Sequence, residues 1–126
     1  MSKINYYKFI FYFCIFIIVL LSVYPGNIYY PAKIYGGDEV LAESDKSNHY
    51  ISYFILTIMG FLSYPNSNLF WKLLISLLLL GSFLEILQIW IPNRSFEFLD
   101  MLANTSGVVI GLVIIQIFNK IKITKK

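Results

Sequence analysis

The sequence has few of the residues that soluble enzymes depend on. It carries one cysteine, Cys14, and one histidine, His49, in 126 residues. A single cysteine excludes an intrachain disulfide and any cysteine-based zinc site. Charged residues make up 13% of the chain, where a soluble domain carries roughly 25%. This composition excludes a disordered chain, an arm that binds nucleic acid and an ordinary soluble enzyme.

Apolar residues are abundant instead, at 58% of the chain, with a mean hydropathy of +0.69. Four largely uncharged stretches predict helices at about 6–24, 47–64, 71–91 and 100–118. Each approaches the roughly 17–25 residues that cross a bilayer as a helix, and none alternates as barrel strands do. The sequence therefore predicts an all-α polytopic membrane protein with four transmembrane helices in a single domain, residues 1–126, with the lipid bilayer as its main partner.

The basic residues predict the orientation of these helices. The first helix is expected to remain uncleaved, because no Ala-x-Ala pattern follows it. With four spans, both termini share one side with the turn between the second and third helices. That side holds seven of the ten Lys and Arg residues, so the positive-inside rule places both termini in the cytoplasm. The three on the outer side are Lys33, Lys46 and Arg94.

Polar residues near the predicted spans gather in the outer third. Glu85 lies six residues before Ile91, roughly 9 Å below the outer end of its helix. A carboxylate at that depth costs at least about 2.5–3.5 kcal/mol on insertion scales, so it should face protein or a wet cavity. Helical spacing places these polar residues on shared faces of three helices. The predicted binding residues are Asp45, Lys46, His49, Glu85, Gln88, Arg94, Asp100 and Asn104.

Two glycines continue one of these faces. Gly107 and Gly111 lie below Asp100 and Asn104 on the same stripe of the fourth helix. Small residues four apart let membrane helices approach closely, so both glycines are predicted to be helix-packing residues. The first helix has no polar residue at this depth and is expected to be peripheral to the site.

These motifs resemble the signatures of the VanZ-like family of membrane proteins. The run that starts at Asp45 and includes Lys46 and His49 is similar to the opening signature. The pair Glu85-x-x-Gln88 is similar to the Glu-x-x-Gln element. The closing signature is matched by Arg94 and then Asp100-x-x-x-Asn104-x-x-Gly107-x-x-x-Gly111. The resemblance covers about residues 45–111. It implies a bacterial inner-membrane protein that faces the cell envelope, in a family named for a protein associated with resistance to the glycopeptide teicoplanin.

Three interpretations of the polar residues follow. The first is a site for a polar lipid headgroup or a cell-envelope precursor, with Lys46 and Arg94 supplying charge for a phosphate or carboxylate. Under this interpretation, we expect no cofactor, no metal and no nucleic acid to bind. A second is that the polar groups only hold helices together through hydrogen bonds. A transporter is disfavoured, because no polar residues continue the path through the inner half of the spans.

The third interpretation is an enzyme that acts on a lipid-linked substrate. His49 would be a general base beside Asp45 or Glu85, and a carboxyl with a raised pKa would be the acid. His49, Glu85 and Asp100 could instead hold a divalent metal and its water. A Gly-x-Ser-x-Gly nucleophile motif is absent from the sequence. His49 and Glu85 are therefore the candidate catalytic residues.

Overall fold

A computed structural model describes residues 2–24, 38–65, 68–92 and 94–125, and the side chains of residues 38–45 lie outside the described part. Helix α1 is Lys3–Val23, α2 is Asp38–Ser63, α3 is Asn68–Leu87 and α4 is Phe98–Thr124. A short 3-10 helix, Gln88–Trp90, continues α3. No strand occurs in the described residues. The all-α fold class predicted from the sequence is thus confirmed.

The ends of the helices follow local chemistry. The hydroxyl of Ser2 accepts a hydrogen bond from the backbone N–H of Asn5 at 3.3 Å and so caps the start of α1. Helix α3 tightens into the 3-10 turn just before Pro92, which cannot continue a helix. Helix α2 starts at Asp38, nine residues before the second helix predicted at about 47–64. Residues 38–47 contain neither glycine nor proline, so nothing in this segment interrupts a helix.

The four helices alternate in direction. At one end, Arg94 before α4 donates hydrogen bonds to the last carbonyls of α1, and His49 of α2 faces Glu85 near the end of α3. We call this the histidine end. At the opposite end, the ring of Phe61 late in α2 lies 5.5 Å from that of Phe70 early in α3. Successive helices therefore run in opposite directions.

Three helices in the described part of the chain, not the predicted four, are long and apolar enough to cross a membrane. They are Lys3–Val23, the joined segment Asn68–Trp90, and Phe98–Thr124. Helix α2 is not apolar enough, because the part of it whose side chains are described carries Lys46, His49 and several hydroxyl groups. From Lys46 onward only four of its residues are exposed, at positions 47, 48, 51 and 55. Because its neighbours cover most of α2, little of its surface would contact lipid. Its sequence therefore does not need to be as apolar as that of a helix surrounded by lipid.

The closest helix packing joins α2 and α4 at two glycines. A Cβ on Gly107 would collide with backbone atoms of Tyr50 and Phe54, and a Cβ on Gly111 would lie 2.8 Å from Cγ2 of Thr57. Gly107 therefore brings the two backbones into near contact, and Gly111 leaves the space that the Thr57 side chain occupies. Gly60 of α2 is a further close approach, where an added Cβ would lie 2.7 Å from Cδ2 of Leu73.

Candidate functional site

Three helices bring ionisable side chains together at the histidine end. Nε2 of His49 lies 3.6 Å from Oε1 of Glu85 and 3.7 Å from Oδ2 of Asp100. The carboxylate side chains are 1% and 4% exposed, and the imidazole is 15% exposed. Since α2, α3 and α4 each supply one group, the cluster exists only when the three helices are packed. We call these three residues the acidic histidine cluster.

An amide fixes the orientation of the imidazole. Nδ1 of His49 lies 2.9 Å from Oδ1 of Asn104, which is 3% exposed. Asn104 follows Asp100 by one turn of α4, so both side chains reach α2 from the same face. With Nδ1 held by the amide oxygen, Nε2 is the ring atom directed at the two carboxylates. The two ring nitrogens thus have different roles: Nδ1 positions the ring, and Nε2 faces the acidic groups.

A buried tyrosine lies beneath the cluster and is not among the predicted site residues. Tyr53, 2% exposed, follows His49 by one turn of α2. An added Cβ on Gly81 would lie 3.0 Å from the Tyr53 hydroxyl and 3.1 Å from Nδ2 of Asn104. Gly81 therefore leaves the space that these two polar groups occupy. The spacing of four residues from His49 is the signal that could have identified Tyr53.

The other predicted residues lie around the cluster at the same end. Lys46 is ion-paired with Glu97, its Nζ 3.2 Å from Oε2, and the two side chains are 30% and 43% exposed. The side chain of Gln88 is buried, and its Nε2 donates to the carbonyl of Ser22 at 3.4 Å. Asp45 is part of α2, and its side chain is outside the described part of the structure.

Arg94 ties the first helix to this region. Its Nη2 donates to the carbonyl of Leu21 at 3.0 Å and its Nε to the carbonyl of Tyr24 at 3.2 Å. These carbonyls belong to the C-terminal turn of α1, where a helix leaves carbonyls without intrahelical partners and its dipole favours a cation. The first helix thus contributes backbone carbonyls to this region and no side chain to the acidic histidine cluster. Gln88 and Arg94 connect it to the other helices at the histidine end.

The arrangement offers two kinds of chemistry. A histidine and two carboxylates within reach of one another can exchange a proton or bind a cation. The basic groups of Lys46 and Arg94 at the same end can attract an anion. A cavity of about 240 Å³, bordered by Phe61, Trp71 and Asn119 among others, lies at the opposite end and does not involve the cluster.

Comparison with known proteins identifies a family. The family model described as VanZ/LLP1 matches residues 9–119, which is most of the chain and includes every predicted site residue. Neither the curated proteins nor the solved structures give a match.

Proposed function

The chain belongs to the VanZ/LLP1 family, and we propose that it binds the polar headgroup of a lipid or cell-envelope precursor at the histidine end. The observation that supports this is the burial of two carboxylates against one histidine, contributed by three helices. Ionisable groups at membrane depth are costly and are functional candidates by default. Amides and hydroxyls would hold the helices together at lower cost, so packing does not account for this charge.

The basic residues suggest the class of headgroup. Lys46 is 30% exposed, and the Arg94 guanidinium lies in the segment that connects α3 and α4 at the same end. Arginine binds phosphate bidentately and lysine binds it as a point charge. A phosphate-bearing headgroup is the ligand that these cations favour. The resemblance to a teicoplanin-resistance-associated protein makes an envelope precursor one such ligand, and a role in glycopeptide resistance would follow from binding it.

The enzyme alternative uses the same groups. Asn104 holds the imidazole so that Nε2 faces the carboxylates, as a positioned general base requires. We favour binding, because neither a nucleophile motif nor a second histidine accompanies His49.

We also propose that the chain crosses the membrane four times, with both termini in the cytoplasm. In this topology α2 crosses the membrane as well, enclosed by the three more apolar helices. Alternation of direction supports it, since Ser2 and Lys125 both lie away from the histidine end. The 18 residues from Lys46 to Ser63 extend about 27 Å as a helix, close to the roughly 30 Å of the hydrocarbon core. The excess of basic residues near the termini supports the cytoplasmic orientation.

Cysteine accessibility tests this topology. We expect a cysteine at Ser95 to react with an impermeant thiol reagent on intact cells, while cysteines at Ser2 and Lys125 react only after permeabilisation. Each is introduced singly into a Cys14→Ser background, and all three positions are exposed in the fold. Opposite labelling of Ser2 and Lys125 would show three crossings instead of four. Labelling of both termini but not Ser95 would reverse the orientation.

Headgroup binding can be followed through a natural reporter. Trp90 is 74% exposed beside the proposed site, and Trp71→Phe leaves it as the single tryptophan. We expect soluble short-chain phosphatidylglycerol to change Trp90 fluorescence saturably in the purified full chain. Lys46→Gln should weaken this response about tenfold, because a hydrogen bond to a charged group contributes roughly 1.5–3 kcal/mol before competing interactions.

Lys72→Gln is the matched control, since Lys72 is exposed at the opposite end of the helices. Equal weakening by both lysine variants, or no saturable response in wild type, would contradict headgroup binding. Short-chain phosphatidylcholine, which has no net charge, should bind less tightly. Conversion of the lipid probe, detected by mass spectrometry of the recovered lipid, would favour the enzyme alternative.

A further inference from the structure

We propose that the acidic histidine cluster is a divalent-cation site. Nε2 of His49 and one carboxylate oxygen each from Glu85 and Asp100 all lie within 4.8 Å of one another. The donors come from three helices and converge on one point, unlike acidic residues scattered over a surface. The inference concerns the same end of the protein as the proposed headgroup site, but it does not require a headgroup to be bound.

The separations are close to those around a small metal ion. Zinc bonds to imidazole nitrogen and carboxylate oxygen are roughly 2.0–2.2 Å long, which places two tetrahedral ligands about 3.4 Å apart. Nε2 of His49 lies 3.6 Å and 3.7 Å from the two carboxylate oxygens. Movements of a few tenths of an ångström would bring both of these pairs to that spacing, and the two carboxylate oxygens lie within 4.8 Å of each other. Side-chain torsions of Glu85 and Asp100 can supply such movements.

The hydrogen bond to Asn104 provides a second, independent indication. Oδ1 of Asn104 can only accept, so Nδ1 of His49, 2.9 Å away, carries the hydrogen. In the neutral ring, Nε2 then presents a lone pair to two carboxylates. That lone pair can coordinate a cation that the two carboxylates also bind. Histidines that bind metals usually donate their other ring N–H to an oxygen in this way.

Burial strengthens the attraction of the cluster for a cation. The side chains of Glu85 and Asp100 are 1% and 4% exposed, and electrostatic attraction is stronger away from water. Two carboxylates and a neutral imidazole together match the charge of a divalent cation.

The donor set narrows the class of metal. One imidazole suits zinc and other late transition metals, whereas two carboxylates suit manganese and magnesium. Zinc and manganese are compatible with the mixture. Three protein donors would leave at least one coordination position open. A phosphate oxygen of a headgroup could occupy that position, which would connect the cation with the proposed function.

Metal binding is measured on the purified full chain in detergent, with any affinity tag removed. After treatment with a chelator, the protein is dialysed against zinc or manganese, and bound metal is determined by elemental analysis. We expect one ion per chain. Glu85→Gln and Asp100→Asn should each raise the dissociation constant at least about 100-fold. Asn104→Leu should raise it about 10–100-fold, the usual range for groups that orient a ligand.

Glu97→Gln is the matched control. It makes the same change at the same end, but Glu97 pairs with Lys46 and is not among the three donors. Its metal affinity should equal that of wild type. Equal affinity of Glu85→Gln and Glu97→Gln would overturn the site, as would a folded wild-type protein that binds neither metal.

A thermal measurement keeps the inference testable if a variant folds poorly. A ligand that binds only the folded state raises the midpoint of unfolding. Zinc or manganese should therefore raise the midpoint of wild type and of Glu97→Gln. A midpoint that changes with pH but not with metal would overturn the inference in favour of a proton shared by the cluster.

The outcomes also separate this inference from the proposed function. Saturable lipid binding that persists in chelator would preserve the headgroup proposal and contradict a required cation. Metal binding without any response to phosphatidylglycerol would preserve the cation site and contradict the headgroup proposal.

Discussion

Gly107→Ala is expected to destabilise the protein by about 3 kcal/mol, the upper part of the usual range for overpacking a core. The added methyl group would collide with backbone atoms of Tyr50 and Phe54 in α2. Backbone atoms inside a helix cannot rotate away, so α2 and α4 must separate. Membrane helices have little hydrophobic attraction to one another, because lipid is as apolar as their side chains. Close packing at such glycines therefore supplies much of their association.

Gly60→Ala is the matched control. Its nearest obstacle is a methyl group of Leu73, which is the end of a flexible side chain. Alanine also gains roughly 1 kcal/mol over glycine in helix propensity, so the net change at Gly60 should be small. Unfolding in mixed micelles of increasing denaturing detergent, followed by circular dichroism, gives both free energies. Equal stability of the two variants would contradict the rigid contact at Gly107.

The same substitution should alter the candidate site. Gly107 lies three residues after Asn104 on α4, and Asn104 bonds to His49 across the same helix interface. Separation of the helices lengthens that bond and moves Asp100 away from the imidazole. Packing and site geometry are thus coupled through one face of α4.

The helices could be predicted from the sequence because long apolar runs leave few alternatives in a membrane. The number of membrane-spanning helices was harder to predict, because hydropathy identifies helices that are surrounded by lipid and not those that are enclosed by other helices. Helix α2 is covered by the other helices, so its sequence carries Lys46, His49 and hydroxyl groups that lower its hydropathy. Its start at Asp38 was missed because the polar residues before Lys46 are equally typical of a loop and of an exposed helix.

The meeting of His49, Glu85 and Asp100 could be anticipated from depth and helical spacing. Glu85 and Asp100 lie near the ends of their helices, and His49 lies near the start of the predicted second helix, so alternating helices are expected to bring them together. The sequence did not indicate which nitrogen of His49 faces the carboxylates, because that depends on the position of Asn104 across the interface. What the cluster binds stays a prediction.

The direction of Arg94 could not be predicted. An arginine in a short connection can reach a ligand phosphate, a carboxylate or any carbonyl nearby, and the sequence does not distinguish among them. The guanidinium donates to carbonyls at the end of α1, which carry partial negative charge. Backbone acceptors have no signature in a sequence, so this link between the first helix and the site emerges only in the fold.

Phe11→Ala is expected to detach α1 and cost about 3 kcal/mol. Phe11 is 1% exposed and is the buried residue of a helix whose other side chains are mostly exposed. It packs beside Gly60 in α2. Removal of a buried phenylalanine costs roughly 3–5 kcal/mol in soluble cores. We expect the low end, because a detached α1 is solvated by lipid that is as apolar as the core.

Phe16→Ala is the control, since Phe16 lies on the same helix and is 60% exposed. Its effect should stay within about 0.5 kcal/mol. Detachment should also release Gln88 and Arg94 from the carbonyls of α1, so Phe11→Ala should weaken phosphatidylglycerol binding at Trp90 although Phe11 is remote from it. Loss of stability without any change in lipid binding would mean that α1 stabilises the fold but does not contribute to the lipid site. Equal stability of the two variants would mean that α1 is held by its polar contacts instead, chiefly the 2.7 Å hydrogen bond between the hydroxyls of Tyr12 and Tyr64 and the two bonds from Arg94.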